Sequence, residues 1–395
     1  MGMKGILFLV WSATTCVAAI TKDIYVASYA GPVFRLALTN ENGSYSLREV
    51  ERTLSCGNNP GWLEFGQEAD TLFCSNEATI IPNGGSIASF DKSLSIIKNV
   101  TTDYGPAQST FYRPNRLGLA HYMGGAVSVF DTSDSSRMVE LQSFHYFMDK
   151  PGPNPTLQDK PHPHGIVVDP SGNFVVVLDR GADALRTYSV GWDDRLVELG
   201  PYLTEPGNGP RHGVFVKGTS KTFFYFAGEL TNSLHGFEVL YHNNGTLGFK
   251  QFYKNSTYQT WFGDYSGVVF PSEIALVGGK HLVLSTRNDS RSVYQGEKSD
   301  TIVSYDVDLE TGALRLIRLT ASGGLWPQSF AVSKDGKLIA VGNQYSVPGR
   351  VIVFPRDPET GVIDDGKPLA NWTTNITLPD GQSISHMIWD ETRGG

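Results

Sequence analysis

Three observations predict that this chain is all-β: a seven-bladed β-propeller with four-stranded antiparallel blades and a ring closed by the C-terminal strand. Short alternating or β-branched runs recur about every 50 positions, Gly, Pro, Asn and Asp punctuate them evenly, and no stretch sustains a 3.6-residue period. Periods of this size, with several strands per unit, mark a propeller and exclude a helical solenoid. At 395 residues the chain also exceeds what one ordinary core supports, which favours a repeat array.

The first unit opens at what would be its second strand, residues 23–28, and has no inner strand of its own. The second unit comprises Asn59-Pro-Gly-Trp-Leu-Glu-Phe65, then 71–76, then 86–90. A weaker third copy is placed at Arg113-Pro-Asn-Arg-Leu-Gly-Leu-Ala120. The fourth is the clearest, with His162-Pro-His-Gly, the turn Asp169-Pro-Ser-Gly-Asn173, a buried strand at 174–178 and a half-buried one at 185–190. The fifth, sixth and seventh open at Gly209-Pro-Arg-His, Pro271-Ser-Glu and Trp326-Pro-Gln. Taking Pro60, Pro114, Pro163, Pro210, Pro271 and Pro327 as equivalent gives spacings of 54, 49, 47, 61 and 56. The C-terminal segment 382–389 supplies the inner strand missing from the first unit, so the ring closes with no open sheet edge between its first and last blades. One propeller domain is expected over 20–395.

Before that domain, Lys4 precedes an apolar run that ends in Val17-Ala-Ala19, with small residues where signal peptidase reads them. Residues 1–19 are expected to be a signal peptide, too short to span ~30 Å of hydrocarbon. No later segment approaches ~20 uninterrupted apolar residues, so no membrane association is expected after cleavage. Seven Asn-x-Ser/Thr sequons, at Asn42, Asn99, Asn244, Asn255, Asn288, Asn371 and Asn375, fit a secreted glycoprotein, extracellular or in the cell wall. Removal of Cys16 with the leader leaves Cys56 and Cys74 as one disulfide, a structural staple with no His or basic cluster nearby. The formal charge of -8, without a Lys/Arg cluster, excludes nucleic acid as a partner.

In a propeller the innermost strands line a central channel, so polar residues at one phase of different repeats converge at its mouth. The openings of the innermost strands carry His162, His164, Arg211, His212, Glu273, Gln328 and His386, and the ends of the second strands carry Glu77, Asp179, Arg180, Glu229 and Arg287. This density of His, Arg and Glu in strands otherwise built of Val, Ile and Phe points to a site for a small anionic ligand. His162 and His164 have a spacing compatible with zinc, but Pro163 interrupts the strand between them, and neither metal nor cofactor is expected. Calcium loops, Gly-rich phosphate loops and Gly-x-Ser-x-Gly elbows do not occur in the sequence.

His162-Pro-His-Gly, Gly209-Pro-Arg-His, Gly228-Glu-Leu and Thr286-Arg-Asn, set in these repeats, resemble the seven-bladed lactonase propellers. That family includes fungal 3-carboxy-cis,cis-muconate cyclase and 6-phosphogluconolactonase. The resemblance implies a site without metal on His164, Arg211, Glu229 and Arg287, with His162, His212, Glu273, Gln328 and His386 around the substrate. Its first implication is a cycloisomerase: Arg211 and Arg287 clamp carboxylates and stabilise an enolate, while His164 or Glu229 moves the proton. The alternative is a lactone hydrolase in which the same cations polarise an ester carbonyl and His or Glu activates water. A third reading is a non-catalytic secreted or cell-wall glycoprotein using the propeller as a binding surface. Convergence of the four named side chains on one channel end separates the enzymes from it. A carbohydrate-binding propeller would need repeated aromatic platforms, and only Trp62 and Trp326 stand at such positions.

Overall fold

The computed structural model describes residues 20–66, 70–79, 84–259 and 268–391. Their β-branched and aromatic runs pair into seven antiparallel sheets arranged as blades of a ring. Blade 1 takes its innermost strand, Ile384–Trp389, from the C-terminus and pairs it with Ile20–Ser28, followed outward by Val33–Glu41 and Ser44–Thr53. Blades 2 to 7 run outward in chain order from innermost strands Pro60–Phe65, Pro106–Arg113, Pro163–Val168, Pro210–Lys217, Phe270–Val277 and Pro327–Val332. Their second strands are Thr71–Asn76, Arg116–His121, Phe174–Asp179, Thr222–Gly228, His281–Arg287 and Leu338–Asn343. The expected fold and the expected closure by the C-terminal strand are both present.

The third blade corrects one expectation. Its innermost strand begins at Pro106, and Pro114 lies in the turn that leads to the second strand, with Asn115 in the left-handed region at φ 60°. A Pro-Asn pair reads equally well as a turn, and that is its role here. The insertion at 290–299 adds a small hairpin, Ser292–Tyr294 with Glu297–Ser299, beside blade 6.

The blades are held by their seams. Seven apolar clusters among the described residues each fill one blade–blade interface. Val177 and Tyr188 of blade 4 pack with Val127 and Val129 of blade 3, and Phe224 and Phe237 of blade 5 with Val176 and Leu185 of blade 4. The closing seam joins Ile24, Phe34 and Trp389 of blade 1 to Leu338 and Val351 of blade 7. Each fully buried side chain of this size contributes roughly 1.5–3 kcal/mol, so the ring depends on every seam being filled.

One irregularity recurs in all seven blades and shapes the channel. Just after its first residue, each innermost strand carries one residue more than its neighbour. The register shifts across Pro60/Trp62, Pro106/Gln108, Pro163/Gly165, Pro210/Gly213, Pro271/Ile274 and Pro327/Ser329, and in blade 1 opposite Ala27/Ser28. Such bulges re-aim a side chain out of the ladder.

Cys56 and Cys74 form the expected disulfide, 18 residues apart, fastening the crossing from blade 1 to the second strand of blade 2. Replacing both with Ser is expected to lower unfolding free energy by about 3 kcal/mol on the loop-entropy estimate. Chemical denaturation of the oxidised protein and the double variant checks this, and equal stability would show the staple to be idle.

Candidate active site

The bulges deliver one ring of side chains to the channel mouth. His164 is the extra residue of blade 4, and Arg211 and His212 span the bulge of blade 5. Glu273 and Gln328 hold the corresponding places in blades 6 and 7. Gly165, next to His164, is required by close approach: a Cβ there would stand 2.4 Å from the Arg211 carbonyl oxygen. A second ring comes from the residue that closes or follows each second strand: Tyr29, Glu77, Tyr122, Arg180, Glu229, Arg287 and Gln344.

Glu229 joins the two rings. Its Oε1 accepts from Arg287 and lies 3.8 Å from Arg211 Nε, while Oε2 accepts from Arg180 Nε. Burial alone would raise this carboxyl, but Arg180, Arg287 and Arg211 together hold its pKa at about 2. It is therefore always ionised and carries no proton at working pH. Arg287 also donates to Gln328 Oε1 at 2.7 Å and to the Phe270 carbonyl at 3.1 Å, and lies over the Trp326 ring with its guanidinium carbon 5.4 Å from the centroid. Arg180 donates to the Tyr122 hydroxyl at 2.5 Å and to the Leu157 carbonyl at 3.2 Å. Arg211 is the least engaged of the three: apart from Glu229, its guanidinium has one contact within hydrogen-bonding range among the described residues, His212 Nδ1 at the long distance of 3.4 Å. Three guanidinium groups facing one carboxylate leave an excess of positive charge at the mouth.

Beside the cations runs a chain of three groups. Glu273 Oε1 is 3.1 Å from His212 Nδ1, and His212 Nε2 is 3.1 Å from His164 Nδ1. Burial would raise Glu273, but His212, His386 and Arg211 hold its pKa below the usual carboxylate value. An ionised Glu273 only accepts, so His212 donates through Nδ1 and accepts at Nε2 from His164. His164 is left with a lone pair on Nε2 and no hydrogen-bond partner for it among the described residues. Burial, then Arg211, His212, Arg180 and Arg287, push its pKa well below 6.5, so its imidazole is neutral. Arg211, Glu229 and Arg287 thus meet directly, and His164 joins them through His212.

The remaining candidates divide. His386 stacks on the Trp62 ring with centroids 3.7 Å apart and accepts from the Leu63 amide at 3.1 Å, so it shapes the wall. His162 is committed elsewhere, with Nε2 2.8 Å from Asp159 and Nδ1 2.7 Å from the Tyr122 carbonyl. Asp179 lies outside the site: it accepts from the His162, Gly181 and Ala182 amides and from Arg186, fixing the strand opening that presents His164. Sequence reading missed Tyr29, Tyr122 and Gln344, although each shares the phase of Arg180 and Glu229. No group of three His, Cys, Asp or Glu among the described residues is disposed to hold a metal ion.

The seven-bladed ring of antiparallel sheets defines the fold class, and comparison with known proteins agrees. The chain belongs to the lactonase family of seven-bladed β-propellers, whose profile matches residues 23–370. It is 27% identical to the "probable 6-phosphogluconolactonase" of Arthroderma benhamiae over 361 residues, 90% of this chain and 86% of that one. It is 26% identical to the 6-phosphogluconolactonase of Formosa agariphila over 327 residues, 76% of this chain and 86% of that one. Among solved structures, the periplasmic gluconolactonase of Pseudomonas aeruginosa superposes with a TM-score of 0.75 at 23% identity, covering 94% of this chain and 99% of that one, which shows the shared fold. These relatives support hydrolysis, the alternative reading of the sequence, better than the cyclisation it placed first.

Several imidazoles here are buried in the neutral form, which fixes the response to acid. Burial lowers the pKa of His386 to about 3 and those of His121 and His235 to about 4, and also lowers those of His164 and His212. The unfolded chain, with ordinary values near about 6.5, binds more protons than the folded one below that pH, so this stability is present above it and lost as pH falls. Glu64 and Glu77, raised to about 7 by burial, Asp289, raised to about 6, and Glu140, also raised, oppose the trend only in part, being four groups against six once His281, lowered as well, is counted. The denaturant midpoint is expected to fall steadily from pH 7 to pH 5. A flat or rising midpoint would contradict the neutral-imidazole assignment.

Proposed function

We propose that the chain is a lactone hydrolase acting on a lactone with an anionic substituent, of the kind 6-phosphogluconolactonases open. The observation that carries this reading is the Nε2 of a neutral His164, without a hydrogen-bond partner among the described residues, beside the partly engaged guanidinium of Arg211. Hydrolysis needs a base for water, a cation for the oxyanion that forms at the carbonyl, and a fixed geometry for both. His164 Nε2 takes the proton of the attacking water, and the imidazolium that forms is stabilised through His212 by Glu273, as in other base–carboxylate chains. Arg211 faces the developing oxyanion, and the surplus positive charge shared with Arg180 and Arg287 holds the anionic substituent. Glu229, locked as a carboxylate, holds the three arginines apart at fixed spacing and moves no proton. Collapse of the tetrahedral species breaks the bond from the carbonyl carbon to the ring oxygen and releases the hydroxy acid.

Acid release from 6-phosphoglucono-δ-lactone and from uncharged glucono-δ-lactone tests the proposal, with preference expected for the charged ring. His164→Gln is expected to lower kcat by roughly 10²–10⁴-fold, the usual share of a general base. Arg211→Ala is expected to lower kcat/KM by a comparable factor. Because the pKa of His164 lies well below the ordinary value, wild-type activity should persist below pH 6.5 before its acid limb sets in. No turnover of either lactone, with the protein folded, would favour the non-catalytic binding glycoprotein.

We also infer that the chain is exported and N-glycosylated. All seven sequon asparagines are exposed, and the Cys56–Cys74 disulfide suits an oxidising compartment. Residues 1–19, which carry the expected leader, lie outside the described residues. Expression in a secreting host should yield a protein whose N-terminus is Ile20 and whose mass falls on treatment with peptide N-glycosidase. An intracellular product of unmodified mass would overturn the inference.

A further inference from the structure

Opening a lactone also requires a proton on the departing ring oxygen, a role that the hydrolytic scheme above leaves unassigned. We propose that Glu77 is the general acid that protonates this oxygen, an inference that rests on the hydrolase reading. Glu77 occupies in blade 2 the phase that Glu229 occupies in blade 5, and the two carboxyls have opposite surroundings. Glu229 is shared by three guanidinium groups, whereas Glu77 makes no ion pair among the described residues. It is 8% exposed, and its Oε1 accepts from the Tyr29 hydroxyl at 2.7 Å.

Its position comes from the bulge of its own blade. In blades 4, 5 and 7 that bulge places His164, Arg211 and Gln328, but in blade 2 it places Gly61. A Cβ on Gly61 would stand 2.4 Å from Glu77 Oε1, so the carboxyl group fills the space that a bulge side chain takes in the other blades. With Oε1 occupied by Tyr29, the acid proton sits on Oε2. Burial raises the Glu77 pKa to about 7, with the Tyr29 bond and Arg211 opposing, and two carboxyls set apart in this way divide acid from electrostatic work. In the step itself, water adds to the carbonyl carbon as His164 takes its proton. The bond from that carbon to the ring oxygen then breaks, its electron pair stays on oxygen, and Glu77 gives that oxygen its proton. The resulting carboxylate and imidazolium return to their starting states by exchange with solvent.

A leaving-group comparison tests the assignment. An alkoxide needs the proton, whereas a thiolate, whose parent thiol has a pKa of about 8.5, leaves without one. Turnover of 6-phosphoglucono-δ-lactone and of the matching thiolactone would be measured with wild type, Glu77→Gln and Gly61→Ala. The second variant keeps the carboxyl but pushes it from its place. Both variants are expected to lower kcat on the oxygen lactone by roughly 100-fold or more, while the thiolactone loses less than about tenfold. Equal losses on both substrates would make Glu77 a structural residue, and no loss on either would remove it from the chemistry. If wild type opens neither ring, the hydrolase reading itself fails, and this inference with it.

Discussion

One extra residue near the start of each innermost strand governs what the channel mouth can contain. A regular ladder would turn alternate side chains into the seams, where Val, Ile and Phe already fill the space. The bulge breaks the alternation and sends a polar side chain towards the axis without disturbing the packing behind it. Because the same device repeats in every blade, seven bulge residues arrive at one level from positions far apart in sequence, although blades 2 and 3 place only Gly61 and Ala107 there. Proline opens most of these strands, where its missing N–H costs the ladder nothing. The scaffold thus separates two tasks: the seams stabilise, and the bulges supply chemistry.

Within the mouth, function follows from how charge is divided. Three arginines converge so closely that they would repel one another, and Glu229 is the group that makes their convergence tolerable. Burial, together with the same cations, keeps the neighbouring histidine neutral, so a site rich in positive charge still contains an uncharged imidazole. Glu77 lies within the influence of the cluster without being captured by it, and burial raises its carboxyl group to about 7, where it exchanges its proton near neutrality. Identical residue types at equivalent positions therefore take different states, decided by how many guanidinium groups each one meets.

The architecture was legible in the sequence because it depends on period, and period survives weak copies. The C-terminal strand could be assigned to blade 1 because the first unit visibly lacked an inner strand. The third blade was misplaced at Pro114 because a Pro-Asn turn and a strand opening look alike in one dimension. Of the candidate site, His164, Arg211, Glu229 and Arg287 were legible through phase and resemblance. The commitment of His162 to Asp159 was not, since it depends on a loop whose path no periodicity reveals. Tyr29, Tyr122 and Gln344 carry no charge to mark them in the sequence, although the register alone places them in the ring. The partition of Glu229 and Glu77 into a carboxylate held at about 2 and a carboxyl raised to about 7 needed three dimensions, because it depends on burial and on which arginines reach which carboxyl.

The composite first blade has a consequence for how the molecule comes into being. Its strands Ile20–Ser28 and Ile384–Trp389 leave the ribosome on either side of the six other blades. Until the second of them arrives, the backbone along one side of the first strand has no partner, and six blades can assemble around a ring that is still open. Bringing the two ends together adds little entropic cost beyond that of a much shorter span, since the penalty grows only with the logarithm of length. The delay is the greater hazard, because an unpaired edge is a template for any passing strand. A nascent chain of this design benefits from being shielded until the closing strand emerges.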